Sequence, residues 1–288
     1  MRRQLVSLAV ALTMAIPLWG QQAASVTLPS EETVNSFMRQ TFGYDPSVTW
    51  KISSIKPSTA NGLAEVVVVV GNQQGQQVTT FYVTPDGKHA LVGDLIPFGA
   101  KPFAPALQAL EKDANGPSRG PAVPSVLLVE FSDLQCPHCK EAQPIIAKLL
   151  ADEPGAKFVF EQYPLPQHNW AAKGAAYADC IGRLNKESVW KFIQGTFDEQ
   201  SNITEANADE KLNTIADASG AKSSEIAACA AKPETRKRIE DSIALGTSVG
   251  VNSTPTLYVN GRRISNMNAI PYDVLKGLVE YGANNTAK

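Results

Sequence analysis

The hydrophobic pattern of the chain changes character several times. Residues 5–19 form an unbroken apolar run that follows Arg2 and Arg3 and gives way to Gly20, Ala23, Ala24 and Ser25. A cationic start, a short apolar stretch and small residues at its end are the pattern of a secretory signal peptide, and the run is shorter than the ~20 residues of a spanning helix. Residues 1–24 are therefore expected to be an export signal, removed to leave a mature chain that resides where disulfides can persist. A buried N-terminal helix is the alternative, but the cationic flank and the polar residues that follow do not suit it.

From residue 25 the periodicities are those of folded elements. Ser30 precedes Glu31 and Glu32, an N-cap with acids in the first turn, and Val34, Phe37, Met38 and Thr41 recur at helical spacing until Gly43. Strand patterns follow at 48–55, 63–70, 78–83 and 90–95, with Pro85-Asp86-Gly87-Lys88 as a turn. The β-branched run 66–70 reads either as a doubly buried central strand or as an edge that pairs with another chain. A helix is expected over 103–113, and the Gly/Pro/Ser cluster at 115–121 reads as the domain boundary. Beyond it, a buried-strand pattern at 125–131 runs into Cys136-Pro137-His138-Cys139 and a helix to about residue 151. A second strand occupies 157–163, and an Ala-rich block over 171–247 has the periodicity of four or five short helices. Strands at 256–259 and 262–264 flank an Asn260-Gly261 turn, and 271–281 is a terminal helix. The order predicts an α/β fold, a sheet with a helical domain (about 170–248) inserted in its crossover, over residues 125–288. A small α+β domain (25–100) and a helix with its linker (101–124) precede it.

Composition narrows the functional classes. With 26 basic and 28 acidic residues among 288 the chain lacks the basic excess of a nucleic-acid module, and no nucleic-acid partner is expected. Four cysteines are too few for a disulfide-stapled miniature domain, so each needs its own explanation.

A CxxC pair at a strand-to-helix junction is a redox signal of the thioredoxin type. Cys136 would stand at the helix N-terminus, where unpaired N–H groups and the helix dipole favour a thiolate. Cys139, one turn on, would be the buried resolving thiol. Pro137 has no N–H to lose at the first helical position, and His138 would add a positive charge or a donor beside Cys136. Half a zinc site is the competing reading, but His89 falls in the other domain, His168 is isolated, and Cys180 and Cys229 lack ligand spacing. No metal and no organic cofactor are expected, because the cysteines carry the electrons themselves.

Glu130-Phe131-Ser132 followed by Cys136-Pro137-His138-Cys139 resembles the active-site segment of the DsbA family of exported thiol–disulfide oxidoreductases, which have a thioredoxin-like fold. Pro144 matches the proline that kinks the family's active-site helix. The segment from Val251-Asn252-Ser253-Thr254-Pro255 to Asn260-Gly261 resembles the family's cis-proline loop. The resemblance implies that Pro255 is cis beside Cys136, that the Thr254 backbone pairs with the client chain, and that Glu130 is a buried acid handling the Cys139 proton. A solvated strand-end glutamate is the alternative for Glu130. His168 sits where the family often has histidine and is read as structural. The implied partners are unfolded or misfolded exported client proteins and a membrane redox partner of DsbB or VKOR type. Cys180 and Cys229, an even pair in an exported chain, are read as a structural disulfide of the insert, with free buried thiols or an electron relay as alternatives.

Two features bear on the direction of the reaction. Thr254 stands where DsbA proper has valine, as it does in DsbC, DsbG and BdbD-like proteins. Residues 81–88 and Gly93-Asp94-Leu95 resemble the N-terminal dimerisation domain of the isomerases DsbC and DsbG, which would make the 66–70 region a homodimer surface. Cys-Pro-His-Cys favours a dithiol oxidase. A dimeric isomerase or reductase is the alternative within the class, and a chaperone or metal-binding protein the alternative outside it.

Overall fold

Ala64, Val66 and Val68 put small and β-branched side chains on one side of a strand, and this alternation builds the first unit. In a computed structural model of the chain, residues 26–72, 75–93 and 95–285 are described, and the expected signal peptide lies outside them. The chain divides into two compact units between Leu95 and Ile96. Among the described residues no helix is long and apolar enough to cross a membrane.

The first unit contains helix α1 (Glu31–Phe42) and strands β1 (Thr49–Pro57), β2 (Ala64–Asn72), β3 (Gly75–Val83) and β4 (Ala90–Val92), an antiparallel sheet in chain order. The Ser30 side chain accepts from the Thr33 N–H and starts α1, and the Gly43 N–H closes its end on the Arg39 carbonyl. Val66 and Val68 are fully buried with Val34, Met38 and Phe81, whereas Val67 and Val69 on the opposite face are half-buried. The 66–70 run is therefore buried on one face only. It is also no edge for a second chain: β2 is hydrogen-bonded to β1 and β3 on its two sides, and the sheet's edges are β1 and β4.

The second unit begins with helix α2 (Ala104–Asp113) and a two-residue strand β5 (Ser118–Arg119). Strand β6 (Val126–Ser132), helix α3 (Pro137–Asp152) and strand β7 (Ala156–Gln162) form a parallel β-α-β unit. Five helices follow: α4 (Ala171–Leu184), α5 (Ser188–Asp198), α6 (Ala208–Ser219), α7 (Ser223–Ala230) and α8 (Pro233–Ser248). Strands β8 (Thr256–Val259) and β9 (Arg262–Ile264) and helix α9 (Tyr272–Asn284) complete the unit. The sheet order is β5-β7-β6-β8-β9, with β6 paired parallel to β7 and antiparallel to β8. Every residue of β6 is buried, as a strand covered on both faces requires. Leu128, Phe158, Phe160 and Leu257 pack with Ile146 and the helical insert, and Val129, Phe131 and Tyr258 pack with Leu110 and Leu245 on the other face. This is the α/β fold with a helical insert that the element order predicts.

Residues 101–124 are not a free linker. Leu110 of α2 is buried in the second unit's core, and β5 pairs antiparallel with β7. The glycines that read as loop residues are there because the backbone passes very close to β7. A Cβ on Gly116 would lie 2.0 Å from the Phe160 carbonyl oxygen, and one on Gly120 2.3 Å from that of Ala156. In sequence, close packing and a loose connection leave the same Gly/Pro signature.

Candidate active site

The end of β6 sets up the site. After Ser132, the buried Asp133 carboxylate accepts the Gln135 N–H at 2.7 Å, folding the chain into a tight turn, and the Asp133 carbonyl accepts the Cys136 N–H at 3.0 Å. Cys136 is the N-cap of α3, in extended conformation (φ −77°, ψ 122°), and Pro137 takes the first helical position. Cys139 falls one turn later on the inner side and is fully buried, while Cys136 keeps 5% exposure. Both are free thiols. The Thr254–Pro255 peptide is cis, and the Cys136 thiol donates to the Thr254 carbonyl at 3.5 Å. The loop before β8 thus meets the start of α3 across more than a hundred residues of chain.

The two thiols are driven in opposite directions. A hydrogen bond from Cys139 brings Cys136 down to about 6 against the opposing effect of burial, and the backbone N–H groups of Cys139 and His138 act in the same sense. Burial, and then the neighbouring Cys136, push the Cys139 thiol well above its ordinary value. Glu130 is fully buried, accepts the Gln143 amide at 3.2 Å, and is pushed up to about 7 by desolvation. It is not a solvated strand-end residue.

His138 meets Cys136 through its backbone N–H, and its imidazole also feels the Cys136 charge. Its imidazole is 72% exposed and pairs with Glu141 at 3.0 Å, a contact that raises its pKa, while its N–H faces the Cys136 sulfur. Its carbonyl accepts the Asn268 amide at 2.9 Å, and Gln200 donates to the carbonyls of Leu134 and Cys136 at 2.8 and 3.0 Å. His168 is joined to the same turn. Its Nδ1 lies 2.8 Å from Asp133, which raises its pKa, and the other bond of that carboxylate oxygen comes from the Leu165 N–H at 2.7 Å.

Asp133, Gln143, Gln200 and Asn268 were not visible in the sequence as site residues. For Asp133 the signal was present, an Asx turn three residues before a helix-starting cysteine. Gln200 and Asn268 arrive from distant elements and carry no local mark. In the insert, Cys180 and Cys229 are bonded (S–S 1.98 Å, Cα–Cα 6.0 Å) and tie α4 to α7, so they are not free thiols. Among the described residues no group of three or more His, Cys, Asp or Glu is placed to hold a metal ion.

A family model described as thioredoxin matches residues 112–280, and one described as the disulfide bond isomerase protein N-terminal domain matches residues 25–101. Disulfide bond formation protein D of Bacillus subtilis is 28% identical over 170 residues, 54% of this chain and 71% of that protein. Na(+)/H(+) antiporter NhaA 3 of Salinispora tropica is 29% identical over 150 residues, 50% of this chain. This chain spans only 22% of that antiporter's length. Among solved structures, the catalytic domain of Proteus mirabilis ScsC superposes with a TM-score of 0.54 at 19% identity, over 63% of this chain and 99% of its own. BdbD from Bacillus subtilis gives 0.54 at 24% identity, over 59% and 94%. At these identities both show the fold alone. The expected resemblance, a DsbA-like thioredoxin fold behind an isomerase-type N-terminal domain, is borne out. With the thioredoxin match running from residue 112 to 280 of 288, across the Cys136–Cys139 turn and the cis-proline loop, the chain belongs to the thioredoxin family.

Proposed function

We propose that this chain is an exported thiol–disulfide oxidoreductase that exchanges disulfides with unfolded or misfolded client proteins in the periplasm, working as a dithiol oxidase. The observation that supports it is the split between an acidic Cys136, which keeps 5% exposure at the start of α3, and a fully buried, weakly acidic Cys139. A stabilised Cys136 thiolate favours the reduced protein, and so makes its disulfide a stronger oxidant. In the forward reaction a client thiolate attacks Cys136 Sγ of the oxidised pair. The Cys136–Cys139 bond breaks, and the electron pair leaves on Cys139, which takes up a proton. Glu130, at about 7, is suited to exchanging that proton near neutral pH. A second client thiolate then attacks the client sulfur of the mixed disulfide and releases Cys136 as the thiolate. In this reading the backbone at Thr254, whose carbonyl accepts from the Cys136 thiol, would pair with the client strand. A membrane partner of DsbB or VKOR type would reoxidise the pair.

A second reading, a dimeric isomerase, is favoured by the N-terminal domain match and by the edge strand β4, where Leu91 and Val92 are 47% and 77% exposed. An exposed apolar edge is where a second copy would add its strand. The two readings separate in ribonuclease assays. An oxidase rapidly oxidises the reduced enzyme but does not rescue the scrambled one. An isomerase rescues the scrambled enzyme and loses that rescue in Leu91→Arg/Val92→Arg. If Cys136→Ser keeps the full effect in both assays, the chain is not a thiol–disulfide enzyme, and a chaperone role is left.

A further inference from the structure

The disulfide of the helical insert carries more than a structural tie needs. Cys180 is fully buried and Cys229 is half-buried, so only the Cys229 side can be approached from solvent. Arg183, one turn after Cys180 on α4, places Nη2 at 3.4 Å from Cys180 Sγ and 3.2 Å from Cys229 Sγ. The guanidinium is held there by two further hydrogen bonds. Nη2 donates to the Thr235 hydroxyl at 2.8 Å, and Nε donates to the buried Asp179 at 3.0 Å. The Asp179 carboxylate is held in turn by Arg238 at 2.8 Å. Arg183, Lys186, Asp179 and Arg238 also line a small cleft against residues 115–118.

A neutral disulfide gains little from a cation fixed on both sulfurs. A thiolate formed when the bond opens gains a charge-assisted hydrogen bond from a donor already in place. We propose that Cys180–Cys229 is a second thiol–disulfide exchange site, opened by an external dithiol that attacks at Cys229 while Arg183 holds the departing sulfur of Cys180. One thiolate of the dithiol bonds to Cys229 Sγ, the Cys180–Cys229 bond breaks, and its electron pair leaves on Cys180. The dithiol's second thiolate then attacks its own sulfur in the mixed disulfide and releases Cys229. Two electrons have passed to the protein, the reductant leaves as its disulfide, and both cysteines end as thiols after proton uptake. The effect of leaving-group stabilisation falls on the first step.

The test uses the full chain with Cys136→Ser and Cys139→Ser, so that Cys180–Cys229 is the one disulfide left. Opening by dithiothreitol in native buffer is followed by acid quench, alkylation and mass. The monothiol glutathione traps the first adduct for peptide mapping. The expected results are complete opening without denaturant, an adduct on Cys229, and a roughly ten-fold slower opening in Arg183→Gln with a smaller loss in Arg183→Lys. A merely structural Arg183 predicts the opposite sign, because loosened helices expose the bond and speed its reduction. Unchanged or faster opening in Arg183→Gln, an adduct on Cys180, or opening only where the chain unfolds overturns the proposal. If Arg183→Gln does not fold, the adduct position and the Arg183→Lys rate decide it.

Discussion

The reduction potential of the Cys136–Cys139 pair should change slope with pH near 6. A thiol shifted from 9.0 to about 6 is a difference of about 3 units, or about 4 kcal/mol of preference for the thiolate. That full amount favours the reduced protein only above the ordinary value, where an unperturbed thiol would also be ionised. At pH 7 an unperturbed thiol is still protonated, so the advantage is set by the one unit between about 6 and 7. It amounts to about 1.4 kcal/mol, or about 30 mV for two electrons. It is lost as pH falls through about 6 and Cys136 takes up its proton. Below that point two protons accompany two electrons and the potential falls by about 59 mV per pH unit. Above it Cys139, with its raised value, still takes one, and the slope falls to about 30 mV. Equilibration against glutathione and dithiothreitol couples from about pH 4.5 to about 8.5, with acid trapping and mass analysis, measures the line. A slope that stays near 59 mV throughout would refute the argument from the helix start and the Cys139 donor, because Cys136 would then be an ordinary thiol.

Glu130→Gln should stabilise the reduced protein progressively as pH rises. The folded carboxyl sits at about 7 against an ordinary 4.5, so below 4.5 the residue contributes nothing, and above 7 its forced ionisation costs about 3 kcal/mol. Urea melts of both proteins at several pH values check this, and a difference that does not vary with pH would place Glu130 in water. Replacing Cys180 and Cys229 together with serine opens a loop with a sequence separation of 49. That should cost about 4 kcal/mol, read from the urea midpoint of the second unit, and a loss under about 1 kcal/mol would mean the bond adds no constraint. Gly261→Ala should cost more than about 1 kcal/mol in the same melts. Its φ is +80°, and the new Cβ would stand 2.3 Å from the Phe103 carbonyl oxygen; a neutral outcome would show that α2 can give way.

Element order and the placement of the cysteine pair were legible because they are local. The β-branched and apolar run of β6, the CxxC pair at its end and a proline at the first helical position are all read within about a dozen residues. Together they put Cys136 at a helix start before any tertiary contact is known. The five-helix insert and the Asn260-Gly261 turn follow the same logic, with Asn260 and Gly261 at φ 45° and 80°. What makes the site reactive is not local. Glu130 rises because the sheet and α3 exclude water from it, Cys139 because it lies on the buried side of α3, and Cys136 meets Thr254 from the far end of the chain. The 66–70 run could not be told from an edge strand, because pairing is decided by what lies alongside. For the same reason the glycines at 116 and 120 read as a linker when they are close-packing positions against β7. Periodicity and turn chemistry are written into neighbouring residues, and the sequence by itself determined the framework and where the two thiols stand. Desolvation and hydrogen bonds between distant segments exist only once the chain has closed on itself, so the tertiary structure alone decided how acidic those thiols are and which residues hold them.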